Sequence, residues 1–167
     1  MIQLVIPIDI IKETIALSKE HNCKILVNPA PYNIGVDDYI LSNIDYYIPN
    51  ETEFLQTIQE DLNGNYDIDW FKEKGIQFAN KYNLTLIITL GSQGALVIDE
   101  QCKLIPAHKT VPVDTTAAGD SFIGGFLAAL ANGVSKYEAL DFGARVASLT
   151  ISRYGAISAI PYKEEIV

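Results

Sequence analysis

The stretch LTLIITLG, Leu84 to Gly91, is the strongest strand signal in this chain of 167 residues. Aliphatic and β-branched residues run through it without alternation and stop at a glycine. A strand with one wet face alternates, so a continuous apolar run predicts a strand covered on both faces. Just upstream, Trp70, Phe71, Ile76 and Phe78 through Tyr82 carry helical spacing, with Asp69 as the expected cap. Downstream, GALVID and KLIPAH predict two antiparallel strands turning at Asp99-Glu100.

The same alternation of strand and helix extends toward the N-terminus. IQLVI (Ile2 to Ile6) reads as a buried strand ended by Pro7. Ile10, Ile11, Ile15 and Leu17 then predict a helix over Asp9 to His21, capped by Asp9. CKILVNPAP gives a second buried strand that stops at Asn28-Pro29, and a short helix is expected over Asp37 to Ser42. In DYYIPNETE a short strand, Tyr46 to Ile48, breaks at Pro49. Asn50 then has the place of a helix N-cap, with Glu53 as capping-box partner. DLNGNYDI (61–68) reads as a polar connector. The last third is helical, over 117–131 and 136–153, with a short tail after Pro161.

This order predicts an α/β fold: one domain over 1–167, with a mostly parallel sheet flanked by helices. Ligands in such sheets sit beyond the carboxyl ends of the strands. The unusual segments NPAP, PNETE, GSQGA and DTTAAGD all follow strands or precede the long helix, and so are expected at that edge.

Composition narrows the partners. Apolar residues are 49% of the chain, and 12 basic against 21 acidic residues give a net charge of −9. That balance argues against nucleic acid and anionic membranes as partners, while leaving room for a local anion site. Two cysteines and two histidines do not make a structural zinc cluster. Sparse cysteine and a start, MIQLVIPIDI, without a basic lead or cleavage site favour a cytoplasmic home. The apolar run around Phe122 to Ala131 is too short to span a bilayer.

DTTAAGDSF carries the chemistry. If Ala117 to Asp120 open a helix, their amides have no intrahelical partners and face outward with the positive end of the dipole behind them. Small side chains let an anion approach, as at phosphate sites. Asp120 in that turn is suited to take a proton from a hydroxyl beside the anion, the arrangement of phosphoryl transfer to an alcohol. The plainer alternative is an acid that merely suits a helix N-terminus, worth about 0.3–1 kcal/mol. For GSQGA the choice lies between a tight turn and backbone that approaches a nucleotide; neither GxxxxGK[ST] nor a strand-linked GxGxxG is present. Asn50 and Glu53 read either as a capping box or as organisers of water around magnesium. Asp114 either caps a turn or, with Thr116 and carbonyls of Thr150 to Ala159, helps to hold a monovalent cation.

NPAP, PNETE, TLGSQGA and DTTAAGDSF, in this order, resemble the ribokinase-like (phosphofructokinase-B) sugar kinase family, its ribose-phosphorylating branch the nearest. The resemblance implies a three-layer α/β/α fold and transfer of phosphate from ATP to a sugar hydroxyl, D-ribose giving ribose 5-phosphate. Relatives acting on fructose, a nucleoside or a vitamin precursor are the alternative. It implies Asp120 as general base and the amides of Ala117, Ala118 and Gly119 as the anion hole. It implies Asn50 and Glu53 as the Mg²⁺-phosphate pair, and Thr89, Gly91, Ser92 and Gly94 as the loop against the nucleotide, with Gly119 beside it. Asp114, Thr116, Thr150, Arg153, Gly155 and Ala159 fall where the family builds a K⁺ site, largely from carbonyls. The resemblance covers nearly the whole chain but only the C-terminal half of such a kinase, without the β-sheet lid. Self-association, or pairing with a separate N-terminal half, is therefore expected, as is weak or absent activity of the chain alone. Three departures stand out: Val5 where the branch has a sugar-binding glutamate, Ala159 for a serine ligand with Ser158 adjacent, and Ala144 where a polar residue often meets adenine.

Overall fold

The computed structural model describes residues 1–32 and 35–166. Six strands form one sheet in the order β1 to β6: Ile2–Gln3, Leu26–Asn28, Tyr46–Tyr47, Thr85–Thr89, Ala95–Ile98 and Cys102–Ile105. The first three pairings are parallel, in registers that set Ile2 on Val27, Leu26 on Tyr46, and Tyr46 on Thr85. β5 and β6 are joined by Asp99–Gln101, a connection too short for a parallel crossover, so the sheet is mixed. The helices are α1 (Ile8–Glu20), α2 (Asp38–Leu41), α3 (Glu51–Thr57), α4 (Ile68–Tyr82), α5 (Ala118–Ala131) and α6 (Lys136–Ile151). Among the described residues no helix is long and apolar enough to cross a membrane.

The chain divides into two compact units, one of residues 1–90 with 96–103, the other of 91–95 with 104–167. In the first, β4 has the two-sided burial that its sequence predicts: Leu86, Ile87 and Ile88 are fully enclosed. Ile11 and Ile15 of α1, Phe54 of α3, and Phe71 and Phe78 of α4 contribute to the same core. The ring of Phe78 stands edge-on to Phe54 with centroids 5.5 Å apart and stacks on Tyr47 at 5.7 Å. Tyr47, fully buried, satisfies its hydroxyl on Thr57 Oγ1 at 2.7 Å. Burial pushes that phenol far above its ordinary range, so it remains neutral.

Local boundaries differ from the sequence reading most clearly at three points. β1 ends at Gln3 rather than Ile6, because the chain leaves the sheet to start α1 immediately after Pro7, and Val5 is left exposed. The N-cap of α1 is Pro7, whose carbonyl accepts from Ile11; Asp9 lies inside the first turn, where its charge complements the dipole. For α4, Asp67 rather than Asp69 is the cap, accepting from the Trp70 amide at 2.8 Å, while Asp69 pairs with Lys72. The cap and box at Asn50 and Glu53, and the Asp37 cap of α2, form as the sequence predicts.

In the second unit α5 and α6 pack closely. Gly125 and Gly143 make this approach feasible: a β-carbon on Gly143 would lie 2.6 Å from the Phe122 carbonyl, and one on Gly125 2.8 Å from Val146. Gly124, one residue away, faces open space. Gly143→Ala should therefore cost about 1–3 kcal/mol through overpacking. Gly124→Ala should be neutral, or stabilise by up to about 1 kcal/mol through helix propensity. Urea unfolding of both variants checks this; equal effects would contradict the packing account.

Candidate functional site

Asn50, Glu53 and Thr89 belong to the first unit, and the structure brings them together. Asn50 bridges to Thr89 at the carboxyl end of β4. The Thr89 amide donates to the Pro49 carbonyl at 3.0 Å, fixing the turn that precedes Asn50. The Asn50 side chain accepts from the Glu53 amide, and Glu53 Oε2 accepts from the Asn50 amide, both at 2.8 Å. The capping box is therefore real, and Glu53 is a nearly buried carboxylate. Capping leaves part of its acceptor capacity for other donors, since two carboxylate oxygens offer about four lone-pair positions.

The other candidates lie in the second unit. Gly91 to Gln93 form a single 3₁₀ turn, exposed to solvent. Gly94 follows with φ +103°, and a β-carbon there would lie 2.0 Å from the Ile105 carbonyl. The GSQGA turn is thus held tightly against the end of β6 and the residues just after it, and its tip is exposed.

α5 begins in the way the DTTAAGD stretch suggests. Ala117, the N-cap, has φ +61°, a left-handed conformation that costs an alanine about 1–3 kcal/mol. This bend turns the chain abruptly into the helix. Ala118 opens α5, and its amide donates back to Thr115 at 3.2 Å, so it is engaged locally. Gly119 has open space in front of it, and Asp120 is exposed on the first turn. Ser121, by contrast, is buried and donates to the Ala118 carbonyl at 3.0 Å.

Asp114 ties two loops. Its Oδ1 accepts from the Thr116 amide at 2.9 Å and its Oδ2 from the Gly155 amide at 3.1 Å. The Val113 amide donates to Ile151 at 2.7 Å in the same clasp. Thr150 is fully buried; its hydroxyl donates to the Val146 carbonyl at 2.9 Å, and its carbonyl accepts from the Arg153 amide at 3.2 Å. Arg153 is occupied with Glu165 at 2.6 Å, and that carboxylate also takes the Tyr162 amide at 2.7 Å. Ala159 is buried. Among the polar contacts that were not anticipated from sequence, two involve residues with chemistry to offer. His108 Nε2 meets Asp141 Oδ1 at 2.9 Å, with Arg145 on the other oxygen at 3.2 Å. Gln3 meets Asn28 at 3.1 Å. The residues of each pair are remote in sequence, although Asn28 had one signal: an amide at the end of an apolar strand, just before proline.

Hydrogen bonds from Thr116 and Gly155 hold the Asp114 carboxyl below its ordinary value of 3.8. A carboxyl depressed by folding stabilises the protein at every pH above its unfolded value. That contribution is lost as pH falls through the depressed value. The melting-temperature gap between wild type and Asp114→Asn should thus be constant above about pH 5 and close below about pH 4. A gap independent of pH would contradict the clasp.

Comparison with known proteins shows the family. The model of the pfkB family of carbohydrate kinases matches residues 1–163. The chain is 36% identical to ribokinase of Staphylococcus aureus over 172 residues, covering 98% of this chain and 53% of that protein. The crystal structure of a ribokinase from Thermotoga maritima matches with a TM-score of 0.82 at 33% identity, over 98% of this chain and 53% of that one. Arabidopsis thaliana ribokinase, solved with ribose and ATP, shares the fold with a TM-score of 0.90 at 24% identity, over 98% of this chain and 53% of that one. The chain spans about half the length of the relatives it matches. On these matches it belongs to the pfkB family of carbohydrate kinases.

Proposed function

We propose that this chain supplies the nucleotide-binding and proton-accepting part of an ATP-dependent sugar kinase, with D-ribose as acceptor. The single observation that carries the reading is the start of α5. A left-handed Ala117 exposes the first turn of the helix, with Gly119 open and Asp120 on the same turn. The helix N-terminus would hold the transferring phosphoryl group through the Gly119 amide foremost, with the Ala117 amide beside it, while the Ala118 amide is already given to the Thr115 carbonyl and shapes the turn. The sugar hydroxyl oxygen would attack the γ-phosphorus as its proton passes to the Asp120 carboxylate and the bond to the ADP oxygen breaks. Thr89, Gly91, Ser92 and Gly94 would lie against the nucleotide.

The ion requirements follow from the donor sets. Asn50 and Glu53 offer hard oxygens, which suits Mg²⁺ with most of its waters kept. Among the described residues no three His, Cys, Asp or Glu gather as a ligand cluster. Bound at Asn50 and Glu53, Mg²⁺ would neutralise phosphate charge. Asp114 and Thr116, with carbonyls of Thr150, Arg153, Gly155 and Ala159, would hold K⁺; the Asp114 clasp shapes that loop through Gly155. Cytoplasmic residence suits such a kinase.

Because the chain spans about half of its relatives, a second reading is a piece that binds ATP and transfers nothing alone, working with a separate polypeptide or a second copy. Phosphate transfer from ATP to a panel of sugars and nucleosides, with and without K⁺, separates the two. Under the first reading ribose is phosphorylated, weakly for the chain alone, and Asp120→Asn reduces transfer by about 10²–10⁴-fold. ATP binding without transfer supports the second. Transfer that survives Asp120→Asn removes Asp120 as the base.

A further inference from the structure

The β2–β3 ladder ends in an unusual way. Its rungs advance two residues at a time: the Tyr46 amide donates to Ile25 at 3.0 Å, and the Ile48 amide to Val27 at 2.9 Å. In a parallel ladder the Ile48 carbonyl should then accept from residue 29. That residue is Pro29, which has no N–H to give. The Asn28 side chain fills the gap, donating from Nδ2 to the Ile48 carbonyl at 2.7 Å. Its orientation is set from behind, since Gln3 Nε2 donates to Asn28 Oδ1 at 3.1 Å. Asn28 is 7% exposed in an otherwise apolar strand, so leaving either of its polar ends unpaired would be costly.

The next rung would take the Asn50 amide toward residue 29. Instead that amide turns to Glu53 Oε2. On the other side the Thr89 amide holds the Pro49 carbonyl. Consecutive carbonyls, Ile48 and Pro49, are thus pinned from opposite sides by Asn28 and Thr89 just before the chain turns into Asn50–Glu53. We propose that Asn28, oriented by Gln3, is a positioning residue whose side chain supplies the last β2–β3 rung in place of Pro29 and so aims the Asn50–Glu53 pair. This rests on the reading of that pair as the Mg²⁺-phosphate organiser.

The test is calorimetric titration of ATP into the whole chain over a range of Mg²⁺ concentrations, with amide exchange at Asn50 and Glu53 followed in parallel. Asn28→Leu should raise the Mg²⁺ needed for half-maximal binding about tenfold, as loss of an outer partner of a metal ligand does. It should also speed exchange at both amides. Gln3→Met keeps the side-chain rung and loses its orientation, so it should act in the same direction by a smaller factor; it decides alone if Asn28→Leu does not fold. Ile15→Val, in the core under α1, should shift neither quantity. If Glu53→Gln raises the Mg²⁺ requirement while Asn28→Leu and Gln3→Met leave it unchanged, the positioning role is overturned and the site reading stands. If Glu53→Gln has no effect, or the unmodified chain binds no ATP, the site reading falls and the proposal with it.

Discussion

A strand that is apolar on both faces cannot be exposed on either, and much of the first unit follows from that constraint at β4. Leu86, Ile87 and Ile88 are fully enclosed, which requires cover on both faces of the sheet. The aromatic set of Tyr47, Phe54 and Phe78 is part of that core. Because β4 is fixed, its last residue is fixed, and Thr89 in turn anchors the Pro49–Asn50 turn through its amide. A hydrophobic demand in mid-strand thereby becomes a polar geometry at the strand end.

The candidate chemistry lies where regular hydrogen bonding stops. Pro29 removes an amide donor from the β2–β3 ladder; the Asn28 side chain takes its place, and the Asn50 amide is redirected to Glu53. At α5 the break comes from Ala117, whose left-handed backbone stores strain that the surrounding structure must outweigh. At Asp114 one carboxylate accepts two backbone amides and joins loops 41 residues apart. Each case spends backbone regularity to fix the direction of a few polar atoms.

Much of the fold is legible in the sequence because burial leaves a pattern. The run at β4, the strand break at Asn28-Pro29, the Asn50–Glu53 box and the two long C-terminal helices each follow from local composition. The misplaced boundaries arise from competition. Asp67 and Asp69 are both good caps, and tertiary context selects the first, as it selects Pro7 over Asp9. β1 stops early because the start of α1 pulls the chain out of the sheet, although Val5 and Ile6 are good strand residues.

The candidate site is legible to a lesser degree. Residue types and spacing mark Asp120, the small residues before it, and the Asn50–Glu53 pair, since caps and helix starts are local. Apart from the Thr116 amide at Asp114, what hydrogen-bonds to the side chains of Asp114, Asn28 or His108 is not local. Their partners lie 41, 20 to 25 and 33 residues away, and no periodicity relates them. The sequence alone determines the alternation of elements, the core strands and the family motifs, because each depends on neighbours in the chain. The tertiary structure alone decides which carbonyl Asn28 satisfies and which loops Asp114 ties, because buried polar atoms take whichever partner packing brings within reach.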